Sequence, residues 1–407
     1  GLAVAMVFHG EHAETDLGDV KVVPTAPSIA FVEAPTARTL AHSGASLWAT
    51  LVAFKIIRCR SSEPMYAGEP HVLEQRCHRC LRKAALRVGA FDLVTDFAIK
   101  ETEGKGLIIL HKGKPFAEYV VDQANKPYLY PVHGPTGAAM TRDYPMKLVE
   151  GERHDHPHHR SINFGHENIG GADTWSEQLT WDELGKNPKH AKLVANRVKS
   201  LGNIKHRSYE KLIANDDHAL VVELCDYLDA SGKAVLSEKR RMTFRAGKNH
   251  RLIDFDQDLI ASEGAVFFED KKDAGLSIRV PTSMDVTSEK GGIIVNSEGD
   301  RDKDAWSKKA KWCDYNGPVG DERLGVAILN HPSSFRHPTG WHVRTYGLFT
   351  ANPFASKQFD KNAPDARFEL KAGQRIKLCH RILFHKGDEK QAKIAEAFEA
   401  YAKESKE

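Results

Sequence analysis

Five histidines fall within "GERHDHPHHRSINFGHENIGG", residues 151–171, together with Arg160 and Asn163. In an extended segment His154, His156 and His158 would share one face and Asp155 and His159 the other. Pro157 argues against a regular central strand, so a loop or strand edge is expected. Three converging imidazoles would suit zinc, copper or iron, with His154, His156, His158 and the distant His331 as candidate ligands. Their spacing, however, matches no pair of histidines at i, i+4 on a helix. A metal-free chemistry is also open: His156, His158 or His159 exchanges protons near neutral pH, while Arg160, Asn163 and His166 bind hydroxyl or carboxylate oxygens. The plainer alternative is that these histidines bond to backbone and hold the loop in shape.

A second concentration lies at residues 329–354, "LNHPSSFRHPTGWHVRTYGLFTANPF", with His331, Arg336, His337, Trp341, His342, Arg344, Tyr346 and Asn352. Alternation through "WHVRTYG" predicts Trp341, Val343 and Thr345 on one face and His342, Arg344 and Tyr346 on the other. That second face has the composition of a polar small-molecule pocket. Between the two stretches, "DAWSKKAKWCDYNGPVG" adds Trp306, Trp312, Asp314 and Tyr315. The tryptophans are either stacking platforms for a sugar ring or core residues. Asp314 is a candidate to pair with a histidine and raise its basicity. Everything requires that residues 154–166 and 331–346 line one cleft.

The elements able to bring them there read as strands. "GLIILHKGKPFAEYVV" predicts a hairpin with its tip at His111 to Lys114 and Gly113 at positive φ. "ALVVELCDYLDASGKAVLSEKRRMTF" repeats the plan around "DASGK". In "RLIDFDQDLI", Ile253, Phe255 and Leu259 alternate with Asp254, Asp256 and Asp258, which predicts one buried and one wet face. "GQRIKLCHRILFHKG" likewise sets Ile376, Leu378, Ile382 and Phe384 against Lys377, Arg381 and His385. A single helix is expected, over residues 388–403, with Asp388 as its cap and Ile394, Phe398 and Tyr401 as its apolar stripe. Strand after strand without βαβ alternation or a blade-length repeat predicts an all-β chain built as a large antiparallel β-sandwich.

The chain has 407 residues and a formal charge of +3 from 58 basic and 55 acidic residues. No long block of one sign is present, so no nucleic-acid partner is expected. The longest apolar run, "ASLWATLVAFKII" at Ala45 to Ile57, is shorter than the ~18 residues that a bilayer span needs and carries Lys55, so it reads as a buried segment and no integral membrane association is expected. The six cysteines, at 59, 77, 80, 225, 313 and 379, are too scattered for a disulfide scaffold. "CHRC" at Cys77 to Cys80 has zinc-knuckle spacing, but only Cys59 and His71 are near enough to complete it, and reduced thiols are the simpler reading. The opening "GLAVAMVFHGEHAET" has an apolar patch without a basic region before it, so no export signal is read there. Residues 1–95 lack a sustained period and are expected to be a poorly structured extension to a sandwich domain at 96–407.

Four motifs, "PVHGPTGAAMTRDYPM", "GERHDHPHHRSINFGHENIGGADTW", "AWSKKAKWCDYNGPVG" and "HPSSFRHPTGWHVRTYGLFTANPFA", resemble in order and spacing those of the PmoA-like family of bacterial proteins, over about residues 97–388. The resemblance implies a supersandwich of the galactose-mutarotase type, a carbohydrate-associated role and a periplasmic or extracellular location. The family's label, methane oxygenase, implies a membrane-bound copper enzyme, from which a chain without a spanning segment departs.

Three functions remain in view. The first is an enzyme acting on a sugar by epimerisation, elimination or hydrolysis, with His156, His158, His159 and Asp314 in acid–base roles and no cofactor. Its ligand contacts would come from Arg160, Asn163, His166, Trp306, Trp312, Arg336, His337, Trp341, His342, Arg344 and Tyr346. The second is a metalloenzyme in which the same histidines, with His331 or His342, hold a divalent metal. The third is a non-catalytic carbohydrate-binding protein that stacks its ligand on Trp306, Trp312, Trp341 and Tyr346.

Overall fold

The alternating segments form strands throughout residues 95–406, which a computed structural model describes together with three short strands nearer the start, β1 (Leu2–Met6), β2 (Val22–Thr25) and β3 (Ile29–Ala34). The chain divides into the units Gly1–Ala90 and Phe91–Glu407. In the first, β3 pairs antiparallel with both β1 and β2. The apolar run at Ala45 to Ile57, the "CHRC" segment and most of the expected unstructured extension lie outside the described residues.

The second unit begins with β4 (Phe97–Glu101), β5 (Leu107–His111), β6 (Lys114–Val120), β7 (Tyr128–Val132) and β8 (Ile162–His166). Two helices follow, α1 (Gln178–Gly185) and α2 (Ala191–Val198). Next come β9 (Asn203–Ala214), β10 (Ala219–Leu228), β11 (Ala234–Ala246), β12 (His250–Ile260), β13 (Val266–Phe268), β14 (Ala274–Arg279) and β15 (Ile293–Asn296). The last strands are β16 (Lys309–Ala310), β17 (Trp312–Val319), β18 (Glu322–Asn330), β19 (Thr339–Val343), β20 (Leu348–Asn352), β21 (Phe368–Leu370) and β22 (Arg375–Lys386), and α3 (Ile394–Tyr401) closes the chain.

Two large sheets result. One has eight strands in the order β15-β17-β18-β22-β12-β11-β10-β9, the other nine in the order β16-β19-β20-β14-β8-β7-β6-β5-β4, and β13 pairs with β21 apart from both. Neighbours pair antiparallel, as in β11 with β12 and β14 with β8. This is the antiparallel sandwich that the alternation predicts, and its turns follow the chemistry that the sequence supplies. Lys112 and Gly113 both take positive φ, 50° and 73°, the pattern of a two-residue type I′ turn between β5 and β6. At the next hairpin Asp229 Oδ1 accepts from the Ser231 and Lys233 amides while Gly232 sits at φ 84°.

Side chains from both sheets meet in one core, where Phe116 of β6 packs edge-on against Phe244 of β11 at 5.5 Å. Each such buried ring contributes roughly 1.5–3 kcal/mol from water exclusion. A buried polar network also crosses this core: Tyr119 donates to Glu223, and Arg240 donates to Tyr119 at 2.7 Å and to Glu238 at 2.7 Å.

Three expectations need correction. Asp254 and His385 are not on wet faces, being 4% and 2% exposed. The outer face of the eight-stranded sheet is covered by α3 and the tail behind it, with Ile394, Phe398 and Tyr401 packed near Trp312, Leu329 and Leu383. The last helix is also shorter than residues 388–403. Asp388 does accept from the Lys390 and Gln391 amides, but Lys393 at φ 54° interrupts the chain and the regular turns begin at Ile394. Finally, α1 and α2 stand where no helix is expected, because each is only two turns long and too brief to show a clear period.

Candidate functional site

At one end of the nine-stranded sheet, β8 begins at Ile162, β14 ends at Arg279 and β20 begins at Leu348. Their register, Ile278 opposite Ile162 and Arg279 opposite Leu348, gathers the loops around them. The segment 154–161 crosses this end with His156 at φ 46° and Ser161 at φ 41°, two non-glycine residues in the sparsely populated left-handed region. Such strain gathers where surrounding contacts fix a backbone for function.

The rings of His158 and His159 meet at 4.4 Å, nearly perpendicular. Trp175 lies 6.3 Å from the first and 5.8 Å from the second. Gly165 is what lets Trp175 approach, since a Cβ there would stand 2.8 Å from Thr174 O and 3.1 Å from Trp175 Cα. Asp173 then turns the chain into α1 by accepting from the Trp175 and Ser176 amides, which places Thr180 Oγ1 2.9 Å from His158 Nδ1. On the other side, Arg279 donates to His159 Nδ1 at 3.1 Å. His156, 44% exposed in its side chain, stacks in parallel on His159 at 4.9 Å and on Tyr346 at 5.4 Å.

Two buried guanidiniums support this stack. Arg142 and Arg279, with side chains 0% and 1% exposed, bond the same Asp155 oxygen at 2.6 and 2.7 Å. Burial and the neighbouring Arg279 charge lower Arg142 to about 10. Burial works to raise the Asp155 carboxyl, but His156, Arg279 and Arg142 together hold it well below the usual carboxylate range. His158 and His159 are pushed well below 6.5, mainly by burial and then by nearby positive charge, so both rings are neutral at pH 7. Behind His158, the buried Lys126 donates to Trp175 O at 2.8 Å and is lowered by burial to about 8.

The second histidine-rich stretch reaches this place only in part. Tyr346 stacks on His156, and the Arg344 guanidinium lies 5.6 Å over Tyr346 and 5.5 Å over Trp306. His342 stands behind Trp306 at 6.5 Å, with Nδ1 2.5 Å from Lys272 O, and burial lowers it to about 4. The alternation expected through residue 346 ends at Val343, because β19 stops there. Arg344 to Gly347 form a turn closed by the Gly347 amide on Arg344 O at 3.0 Å.

The other candidates stand elsewhere. Arg160 is held by Glu177 at 2.8 and 3.1 Å, and Asn163 donates to Arg160 O. His166 is fully buried between Phe268 and Phe354. Trp341 is internal, and Trp312 packs with α3. Arg336 lies over Phe335 and Phe368 and donates to Pro353 O and Ala366 O. His337 bonds Asn330 at 2.8 Å. Asp314 does pair with a histidine, at 2.7 Å, but it is His385 on β22, and this charge with its hydrogen bond outweighs burial to raise that imidazole.

The residues proposed to hold a metal do not fit one. His331 spends Nδ1 on Ser333 and Nε2 on Glu404 O, and His154 stacks outward on Tyr144. Among the described residues no three His, Cys, Asp or Glu side chains gather as a ligand set. Nor is any helix among them long and apolar enough to cross a membrane.

Sequence reasoning missed Arg142, Arg279, Trp175, Thr180 and Lys126. Arg142 and Trp175 sit inside the quoted "TRDYPM" and "GGADTW" motifs, which was the available signal. Nothing local marks Arg279, the last residue of a buried strand.

A family model described as a family of unknown function, DUF6807, matches residues 107–399. No curated protein matches the sequence. Among solved structures, a galactose mutarotase related enzyme from Lactobacillus acidophilus is similar at 9% identity and TM-score 0.25, over 45% of this chain and 71% of that one. A putative aldose 1-epimerase from Escherichia coli K12 is similar at 8% identity and TM-score 0.26, over 72% of this chain and 97% of that one. Likenesses this distant say nothing of the chemistry, which rests on the chain's own residues.

Proposed function

The chain belongs to the DUF6807 family, and we propose that it is an enzyme that moves a proton on a polar, hydroxylated small molecule of the carbohydrate class, with His158 as the base and His159 as a hydrogen-bond donor. The observation that carries this reading is the contact of Arg279 with His159 Nδ1. A guanidinium can only donate, so Nδ1 accepts and the neutral ring carries its proton on Nε2, ready to donate to a ligand oxygen. His158 has a different partner at Nδ1, the Thr180 hydroxyl, which can accept. With Nδ1–H directed to Thr180, the His158 Nε2 lone pair is free to take a proton. Charge then develops on the ligand oxygen beside His159, where the donor and the Arg279 charge behind it stabilise it. Tyr346 and His156 stack on one another beside the pair, so a sugar would meet their edges, and Trp306 lies beyond Arg344.

The non-catalytic alternative keeps only Trp306 and Tyr346 of its four stacking platforms, since Trp341 and Trp312 are internal. The test follows a panel of neutral and acidic monosaccharides by proton NMR. His158→Gln and His159→Gln should each lower turnover roughly 10²–10⁴-fold, as expected for loss of one acid–base group. Their melting temperatures should stay close to that of the parent. Unchanged turnover, or unfolding of both variants, rejects the assignment.

A further inference from the structure

We infer that the ligand of this site carries a carboxylate, and that Arg344, with Arg279 behind it, receives that group. The inference rests on the reading of the same site given above, and it names the ligand's class. Arg153 is matched by Asp285 at 3.3 Å and Lys272 by Asp273 at 2.8 Å, so those pairs cancel. Arg142 and Arg279 share the single Asp155 carboxylate, and Arg344 makes no ion pair among the described residues. With His158 and His159 neutral, the ion pairs leave Arg344 without an acid partner, beside two almost fully buried guanidiniums that share one carboxylate.

Burying unpaired charge is costly, and a ligand of opposite sign would offset that cost here. The geometry suits a flat anion on a ring. Arg344 rests against the faces of Tyr346 and Trp306, which leaves its planar edge of N–H groups to grip a carboxylate from two sides. The edges of the stacked His156 and Tyr346 rings provide the adjoining wall for the sugar body. A sugar acid, the C6-oxidised form of a hexose, has both parts in one molecule. Its carboxylate would also acidify the neighbouring C–H, which is the kind of proton that His158 is placed to remove.

The experiment is isothermal titration of the full chain with glucuronate, galacturonate and mannuronate, each beside its neutral hexose, and with inorganic phosphate. At least one uronate should bind about ten-fold or more tightly than its hexose, the margin expected of a charge-assisted pair. That margin should shrink at high salt and vanish in Arg344→Gln. Should Arg344→Gln not fold, Arg344→Lys is the substitute, and it should lose part of the margin because an ammonium lacks the planar fork. Equal binding of hexose and uronate, phosphate binding as tightly as any uronate, no binding of any uronate, or a margin intact in the variant each overturns the inference. The two readings separate cleanly. A uronate margin with turnover untouched in His158→Gln and His159→Gln defeats only the acid–base assignment. Histidine-dependent turnover of a neutral sugar alone defeats only this one.

Discussion

Two of the arginine–carboxylate clusters among the described residues differ in balance. On the outer face of the eight-stranded sheet, Asp254 and Asp256 on β12 meet Arg381, Arg245 and Lys406, and Glu404 closes the group on Arg381 at 2.7 Å. Three acids face three bases. At the end of the nine-stranded sheet, Arg142, Arg279 and Arg344 have among the described residues one ion-paired carboxylate, Asp155. The first cluster balances in charge and ties α3 and the tail to the sheet. The second is left charged, strained at His156 and Ser161, and open at His156. Ion pairs alone therefore do not tell the two clusters apart, whereas the unmatched excess beside two neutral imidazoles does.

Disturbing each cluster in turn tests that contrast. Among substitutions the largest effect is expected from Arg381→Met, which removes two bonds to the nearly buried Asp254 and two to Glu404, leaving Arg245 as the remaining hydrogen-bond partner of Asp254, and should cost roughly 3 kcal/mol in urea unfolding. Ligand binding in that variant should be unchanged, and a loss of binding would merge the two clusters into one system. Next comes acid. Burial holds His166 and His380 near 3 and His342 near 4, below the ~6.5 of an unfolded chain. Between those values and pH 6.5 the unfolded chain binds more protons than the folded one. Stability should therefore be full above pH 6.5 and fall as pH drops towards 4, by up to ~1.4 kcal/mol per pH unit for each such histidine. His385, whose pKa is raised, works in the opposite sense and loses its contribution as pH rises through its folded value. A denaturant midpoint that is flat from pH 7 to 4 would contradict this.

A smaller effect is expected from Asp155→Asn, which deepens the positive excess. It should cost roughly 1–3 kcal/mol, and added sulfate should restore more of that loss than it does for Arg381→Met, as read by melting temperature. Equal restoration would mean that the site has no special call for an anion. The smallest change belongs to His154→Ala, whose ring lies exposed on Tyr144. Its stability should stay within about 0.5 kcal/mol and its turnover within two-fold. A large loss of turnover would show that the whole histidine segment acts, not its inner half.

Much of the frame was legible in the chain. Alternation in "RLIDFDQDLI" and "GQRIKLCHRILFHKG" comes from the two-residue repeat of a strand, and those segments are β12 and β22, paired with each other from His250–His385 to Ile260–Arg375. The stripe Ile394, Phe398 and Tyr401 likewise became a buried helix face. Covering of the opposite faces was not legible, because Asp254, Arg381 and His385 look like solvent-facing residues until their partners, Glu404, Lys406 and Asp314, are brought from other parts of the chain.

The site shows the same division. Composition singled out residues 154–166 and 331–346, but it could not say which side chain of each would converge. His158, His159, Arg344 and Tyr346 come together, while His166, His331, Arg336 and His337 are spent on local packing and hydrogen bonds. Sequence by itself determined the strands, their turns and the stock of imidazole and guanidinium groups, since periodicity and φ preference act over a few residues. Only the tertiary structure decided that Arg279 would meet His159, across 120 positions, because that contact depends on how β14 pairs with β8 and β20 and on where those strands end.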